Sequence, residues 1–283
     1  MFPIRFHMPA ASVRPFVQFY AQREVSSRDP LFVHPVPARS SPMLEFVFGD
    51  PIRVTYFDSE VEETSPHVVF VGMQTRPFAR LRLQGSLLSF VIMFQANGVE
   101  RLFRRPAHEV NDASCDGRAF FDCTVEDLYF RLGDCKTFQE RIRVADHFLE
   151  GKLYSALPLD SMGAVVERIR RSNGVVKIPE LASLASVSPR QLSRDFNSRF
   201  GVGPKMFSMI VRFQSALDRK VRLGKPWTEV AHDLGYHDQM HMIHDFERFS
   251  ASTPTETLKV VQTFFQHQIA RQRDPELDVP LVV

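Results

Sequence analysis

Cysteine is scarce: three in 283 residues (Cys115, Cys123, Cys135), at spacings that form neither a disulfide framework nor a zinc pattern. That usage points to a reduced, cytoplasmic chain. No stretch approaches the ~18 uninterrupted apolar residues of a membrane span. The opening MFPIRFHMPAASVRPF lacks an apolar core long enough for a signal peptide. A Gly-x-Ser-x-Gly elbow, a phosphate-binding glycine loop and a His-Glu-x-x-His helix are all missing, so nothing points to an enzyme or calls for a cofactor. What is present is globular: 44% hydrophobic and 24% charged residues, on a chain long enough for two domains with a core each.

The net charge of +2 hides an asymmetry. Residues 1–159 net −1, residues 160–262 net +4 and residues 263–283 net −1. Between Arg168 and Lys225 stand thirteen basic residues against three acidic ones, Glu180, Asp195 and Asp218. A solvated helix face is often basic too, so this alone does not decide for a phosphate backbone as partner.

A repeat decides it. Residues 178–204 read IPELASLASVSPRQLSRDFNSRFGVGP, and residues 227–254 read WTEVAHDLGYHDQMHMIHDFERFSASTP. Aligning Phe196 with Phe246 also aligns Leu192 with Met242 and Pro204 with Pro254. Ala182 meets Ala231 if the second copy has one extra turn residue. Each copy reads as a short helix with a small residue at a close helix crossing, a tight turn, and a second helix with apolar residues at i, i+4. Gly235 suits the turn of the second copy. Ser186 stands at the equivalent place in the first, at a cost of up to roughly 1 kcal/mol if the geometry is kept. Ser188-Pro189 is an N-cap and first-turn pair. Two helix-turn-helix motifs predict duplex DNA as partner.

The first half reads mainly as strands, at 16–25, 43–48, 52–57, 67–73, 78–83 and 87–94, rich in β-branched and aromatic residues and punctuated by Pro and Gly. FARLRL alternates, with Leu81 and Leu83 on one face and Arg80 and Arg82 on the other. The expected fold is α+β, an antiparallel barrel or sandwich with helices, of the double-stranded β-helix kind. Helices are predicted at 97–104, 124–133 and 137–157. An all-α domain follows, in which a long helix at about 204–223 joins the two motifs. The predicted division is 1–157 for a regulatory, sensor or dimerisation domain, 158–262 for the DNA-binding domain, and 263–283 for a flexible tail.

Residues from about 160 to 262 resemble the DNA-binding domain of AraC/XylS-type bacterial transcription regulators. The resemblance is carried by the two motifs, Arg212-Phe213 and Ala216, LGY at 234–236, and the closing Thr253-Pro254. It implies seven helices. Ala251 departs from the family, where glycine is usual. The first half more weakly resembles a regulatory domain found ahead of such DNA-binding domains, through RPFVQFYAQ, VFVGMQTRPFARLRLQGSLLSFVIMFQANGVERLF and ERIRVADHFLEG.

The second helix of each motif should lie in a major groove. In the first copy, Arg190, Gln191, Ser193 and Arg194 are expected to meet bases, Arg194 through the O6/N7 pair of guanine. In the second, Gln239, Met240, His241 and His244 are candidates, and exposed Asp238 and Asp245 would repel phosphates and relax specificity. Arg199, Lys205 and Arg248 are the expected phosphate contacts. A metal on His237, His241 and His244 is conceivable from their i, i+4, i+7 spacing, but no neighbouring Cys or carboxylate pattern completes a site. For the first domain the readings are a small-molecule effector in the lumen between strands, a purely protein–protein or homodimerisation module without ligand, and thiol sensing through the three cysteines. RNA polymerase is a further possible partner; no membrane contact is expected.

Overall fold

The structure, a computed structural model, describes residues 4–59 and 61–265. Its first part is built on β1 (Ile4–His7), β2 (Val17–Val25), β3 (Phe32–Val36), β4 (Met43–Gly49), β5 (Arg53–Tyr56), β6 (Glu62–Thr64), β7 (Val68–Val71), β8 (Ala79–Leu83), β9 (Leu87–Phe94) and β10 (Ser114–Asp116). They form two sheets, in the orders β1-β2-β9-β4-β7-β10 and β3-β8-β5-β6. Every pairing is antiparallel. Among the described residues no strand ladder joins one sheet to the other, so the expected barrel or sandwich is realised as two sheets without closure.

The larger sheet is buried on both faces, which is why β4, β7 and β9 read as nearly continuous apolar runs rather than as alternating strands, while β2 buries Gln18, Gln22 and Arg23 as well. One face puts Tyr20, Leu44, Phe46, Phe70, Phe90 and Ile92 against helices, in a cluster shared with Phe121, Val125, Leu128, Ile142, Ala145 and Leu149. Those residues lie on or beside α2 (Gly117–Phe121), α3 (Cys123–Gly133) and α4 (Phe138–Glu150). The short α1 (Gly98–Phe103) precedes them. A capping box of Thr137 and Glu140 starts α4. The predicted extension to 157 stops at Glu150; Gly151 and a 3₁₀ turn at Leu153–Ser155 lead to Pro158.

The other face of the larger sheet carries Phe19, Ala21, Met43, Val47, Val69, Val71, Val91 and Met93. They pack toward the smaller sheet, and the same cluster runs on without a break into the helices of the second part. Those helices are α5 (Ser161–Arg171), α6 (Ile178–Leu184), α7 (Pro189–Phe200), α8 (Pro204–Leu223), α9 (Trp227–Asp233), α10 (Gln239–Ser250) and α11 (Pro254–Phe265). They are seven, as the family resemblance implies. Helix α11 carries the second part past residue 262, and the flexibility expected of the tail concerns residues that from 266 on lie outside the described ones.

The repeat is structural as well as sequential. Both motifs turn between their helices through the same pair of bonds: the amides of Ser186 and Gly235 reach Ser183 and His232, and those of Val187 and Tyr236 reach Ala182 and Ala231. Ser186 keeps the left-handed conformation of Gly235, with φ of 57° against 64°. At the ends of α7 and α10 the caps correspond again, Gly201 at φ 70° and Ala251 at φ 53°. Ala251 therefore accepts the geometry that glycine usually serves, at a cost of about 1 kcal/mol for an L-residue there. Ala251→Gly should raise Tm by about 1–3 °C, as part of that gain is lost to glycine's extra unfolded-state freedom. Gly201→Ala should lower Tm further than that, since its Cβ would lie 2.5 Å from Asn111 Nδ2. Thermal melting of both variants checks the pair; a lower Tm for Ala251→Gly would refute the strain.

Candidate nucleic-acid interface

Helices α7 and α10 have twelve residues each and are capped alike, Ser188 Oγ accepting from the Gln191 amide at 3.2 Å and Asp238 Oδ1 from the His241 amide at 2.7 Å. Each buries one stripe: Leu192, Phe196 and Phe200 on α7, and Met242, Phe246 and Phe249 on α10. Helical periodicity then leaves Arg190, Ser193 and Arg194 exposed on the first helix, and Gln239, Met240, His241 and His244 on the second. Gln191 is half-buried. It donates to Asp195 Oδ1 at 2.6 Å and accepts from Arg194, so the guanidinium of Arg194 is steered by a neighbour that is itself held. Ser193 turns its hydroxyl back onto the Pro189 carbonyl at 3.0 Å.

The three candidate phosphate contacts part company. Lys205 and Arg248 are exposed and line one groove of about 890 Å³ with Arg212 and His241, alongside α8 and α10. Arg199 is a correction. Its side chain is 16% exposed, and it donates to Glu100 Oε2 at 2.7 Å and to the Asp160 carboxylate. Glu100 belongs to α1 and Asp160 caps α5, so the guanidinium joins the two parts of the molecule and is not offered to DNA in this conformation.

Asp245 is a second correction: it is buried, with a side-chain exposure of 5%. Its carboxylate accepts from Arg212 Nη2 at 3.0 Å, and the same guanidinium lies 4.1 Å from the centre of the Tyr236 ring. The expected repulsion of a phosphate is thereby removed, and the residue instead ties α10 and its turn to the joining helix α8. Asp238 is engaged in capping. Among the described residues no three His, Cys, Asp or Glu side chains gather to hold a metal, so His237, His241 and His244 do not converge. Burial, with Asp116 adding to it, pushes the Cys115 thiol up; burial does the same at Cys135 although Arg141 opposes it. Both changes disfavour the reactive thiolate.

The residues that dock the first part on the motifs carry no sequence signal. Asn111 Nδ2 donates to the carbonyl of Phe200, the last residue of α7, at 2.7 Å. The Ala38 amide donates to the carbonyl of Phe249, next to last in α10, at 2.7 Å. Ser40 donates through its amide and hydroxyl to Gln214 Oε1 at 3.0 and 2.8 Å. Two of the donors are backbone amides, which no residue pattern announces, and the partners lie 89 to 211 positions apart.

Comparison with known proteins agrees with this geometry. Residues 181–259 match the family model of a helix-turn-helix domain, and residues 5–116 match a domain of unknown function (DUF6597). No curated protein matches the chain. Among solved structures, the apo form of a single-substitution variant of ToxT from Vibrio cholerae is 11% identical, with a TM-score of 0.53 over 90% of this chain and 99% of that one. Wild-type ToxT bound to an unsaturated fatty acid is 12% identical, with a TM-score of 0.47 over 92% and 95%. The AraC-like transcriptional activator CuxR is 11% identical, with a TM-score of 0.30 over 72% and 83%. The fold is that of ToxT, and the two motifs with their matching domain make this a DNA-binding transcription regulator. No described helix is long and apolar enough to cross a membrane.

Two outcomes follow. Asp245→Ala leaves Arg212 with a largely buried, unpaired charge and should cost about 3–5 kcal/mol of stability. His244→Ala, on the exposed face, should stay within about 0.5 kcal/mol; denaturant titration separates them, and equal losses would refute the role given to Asp245. At Asp160, burial acts to raise the carboxyl pKa, but the Gly163 amide and Arg199 outweigh it and hold the group low. Its contribution is thus complete above the ordinary carboxylate value of ~3.9 and is lost as pH falls through the lowered one. Melting of wild type and Asp160→Asn across pH should show a wild-type advantage that is constant from pH 5 to 8 and fades below about pH 4. An advantage unchanged at pH 2 would contradict the linkage.

Proposed function

We propose that the protein reads two successive major-groove segments on one face of duplex DNA, about 34 Å apart, by placing α7 in one and α10 in the next. The observation that carries this is the structural identity of the two motifs, with the same turn bonds, cap positions and helix length, on either side of a single continuous helix of twenty residues. Arg190 and Arg194 supply guanine readout from α7, with Gln191 orienting Arg194. Gln239, Met240, His241 and His244 supply a weaker set from α10, because no cation stands among them and a methionine can only pack on a thymine methyl. Lys205 and Arg248 meet phosphates in the groove between them. Arg199 joins them only if Glu100 and Asp160 let go.

The bonds from Asn111, Ala38 and Ser40 offer a route by which a small molecule or partner on the first part would alter how the two motifs sit, which supports a regulatory domain. Our reading is that it senses an effector.

Selection from a random duplex pool at fixed salt, with wild type and Arg194→Ala in parallel, tests the reading. Two enriched half-sites one helical turn apart are expected, with one position relaxed in the variant. That relaxation should cost about 1–3 kcal/mol, or roughly 5- to 150-fold in discrimination. Alanine at Gln239 or His244 should cost less. Salt-sensitive binding without any enriched motif would overturn tandem base readout.

A further inference from the structure

Between the larger sheet and α8 lies a cavity of about 320 Å³, at the small end of the range that holds ligands. Phe19, Met93 and Val211 give it apolar wall, and Gln18, Arg39 and Gln214 give it polar wall. Arg39 is 2% exposed and fully enclosed. Its Nη1 meets the sulfur of Met43 at 3.1 Å, a weak acceptor, while Nε and Nη2 have no hydrogen-bond partner. The backbone at Arg39 is held in place by two bonds exchanged with Gln74 at 2.9 Å. Glu45 acts on it through the field alone, and its own Oε1 is also without a partner. Burial brings the guanidinium pKa down to about 10 against that field, which still leaves it protonated at neutral pH. An enclosed cation with two idle donors is a cost that folds do not carry without return. Around the rest of the cavity Arg170 and Arg171 stand with Glu167 and Asp218, so the lining as a whole carries one net positive charge.

We propose that this cavity is the effector site, and that Arg39 takes the anionic group of a small carboxylate or phosphate whose short apolar part rests on Phe19, Met93 and Val211. This rests on reading the first part as a sensor. The site is also wired to the DNA-binding helices. The residues flanking Arg39 are Ala38 and Ser40, whose amides hold the end of α10 and Gln214 of α8. An anion fixed on Arg39 therefore acts one residue away from both bonds, and it shifts the posture of the second motif on the joining helix.

The test uses the full chain and a duplex selected by the wild type. Melting and DNA affinity are measured in hexanoate, inorganic phosphate and 1-hexanol, with ionic strength matched by sodium chloride. An anion should raise Tm on the order of 5 °C at saturation and change the Kd for DNA, while hexanol does neither. A response to hexanoate alone assigns a carboxylate, and a response to phosphate alone assigns a phosphate. Arg39→Met should melt at or above wild type without ligand, since it removes a buried cation with unmet donors, and should lose the anion response. Gln214→Leu should lose the effect of the anion on DNA affinity. The proposal is overturned if Arg39→Met melts well below wild type, if it still responds to the anion, or if wild type answers neither anion more than the alcohol. Failure of wild type to select any duplex would instead strike the tandem-reading function, leaving the Tm arm to judge the site.

Discussion

A helix ends with carbonyl oxygens that its own amides cannot reach, and something outside has to meet them. At both recognition helices the first domain takes part in this: Asn111 meets the last carbonyl of α7, and the Ala38 amide meets the carbonyl of Phe249 in α10. Helices α7 and α10 are therefore not free to move independently of the first part. Their ends are pinned to one body, and the angle between them depends on how that body sits. Ser40 on Gln214 fixes the joining helix to the same strip of chain.

Packing makes the same point on a larger scale. The core between the two sheets continues into Ile210, Phe213, Ala216 and Leu217 of α8 and into Met242, Phe246 and Phe249 of α10. Met73 from the first domain sits in the core of the first motif. Within the second motif, the buried pair of Arg212 and Asp245, with Tyr236 against the guanidinium, replaces apolar packing by a geometry that tolerates few alternatives. Such a pair gives little net stability but penalises any arrangement that separates its members. The distance between motifs is thus set by α8, and their orientation by a charge that must not be left alone.

Much of this was legible in the chain. All six predicted strands exist, as do the predicted helices, and the motif helices fall where their apolar spacing and caps put them. The repeat even located the extra turn residue, since α6 and α9 start 49 positions apart and α7 and α10 start 50 apart. The two departures share one cause. Helix position and charge alone put Asp245 and Arg199 on exposed faces, but each has a partner far away in sequence that removes it from solvent. Strands β1, β3, β6 and β10 are not legible in the sequence, because they are short and lie at sheet edges, where few residues carry an apolar signal.

By itself the sequence determined the class of the protein, because periodicity, caps and turn residues act within a few positions and are written twice. It also determined which face of each reading helix is polar. Only the tertiary structure decided which polar residues stay available. Glu100 and Asp160 claim Arg199, Arg212 claims Asp245, and nothing claims Nε and Nη2 of Arg39. Those outcomes depend on desolvation and on distances between segments that only the folded chain brings together, and no local pattern encodes either.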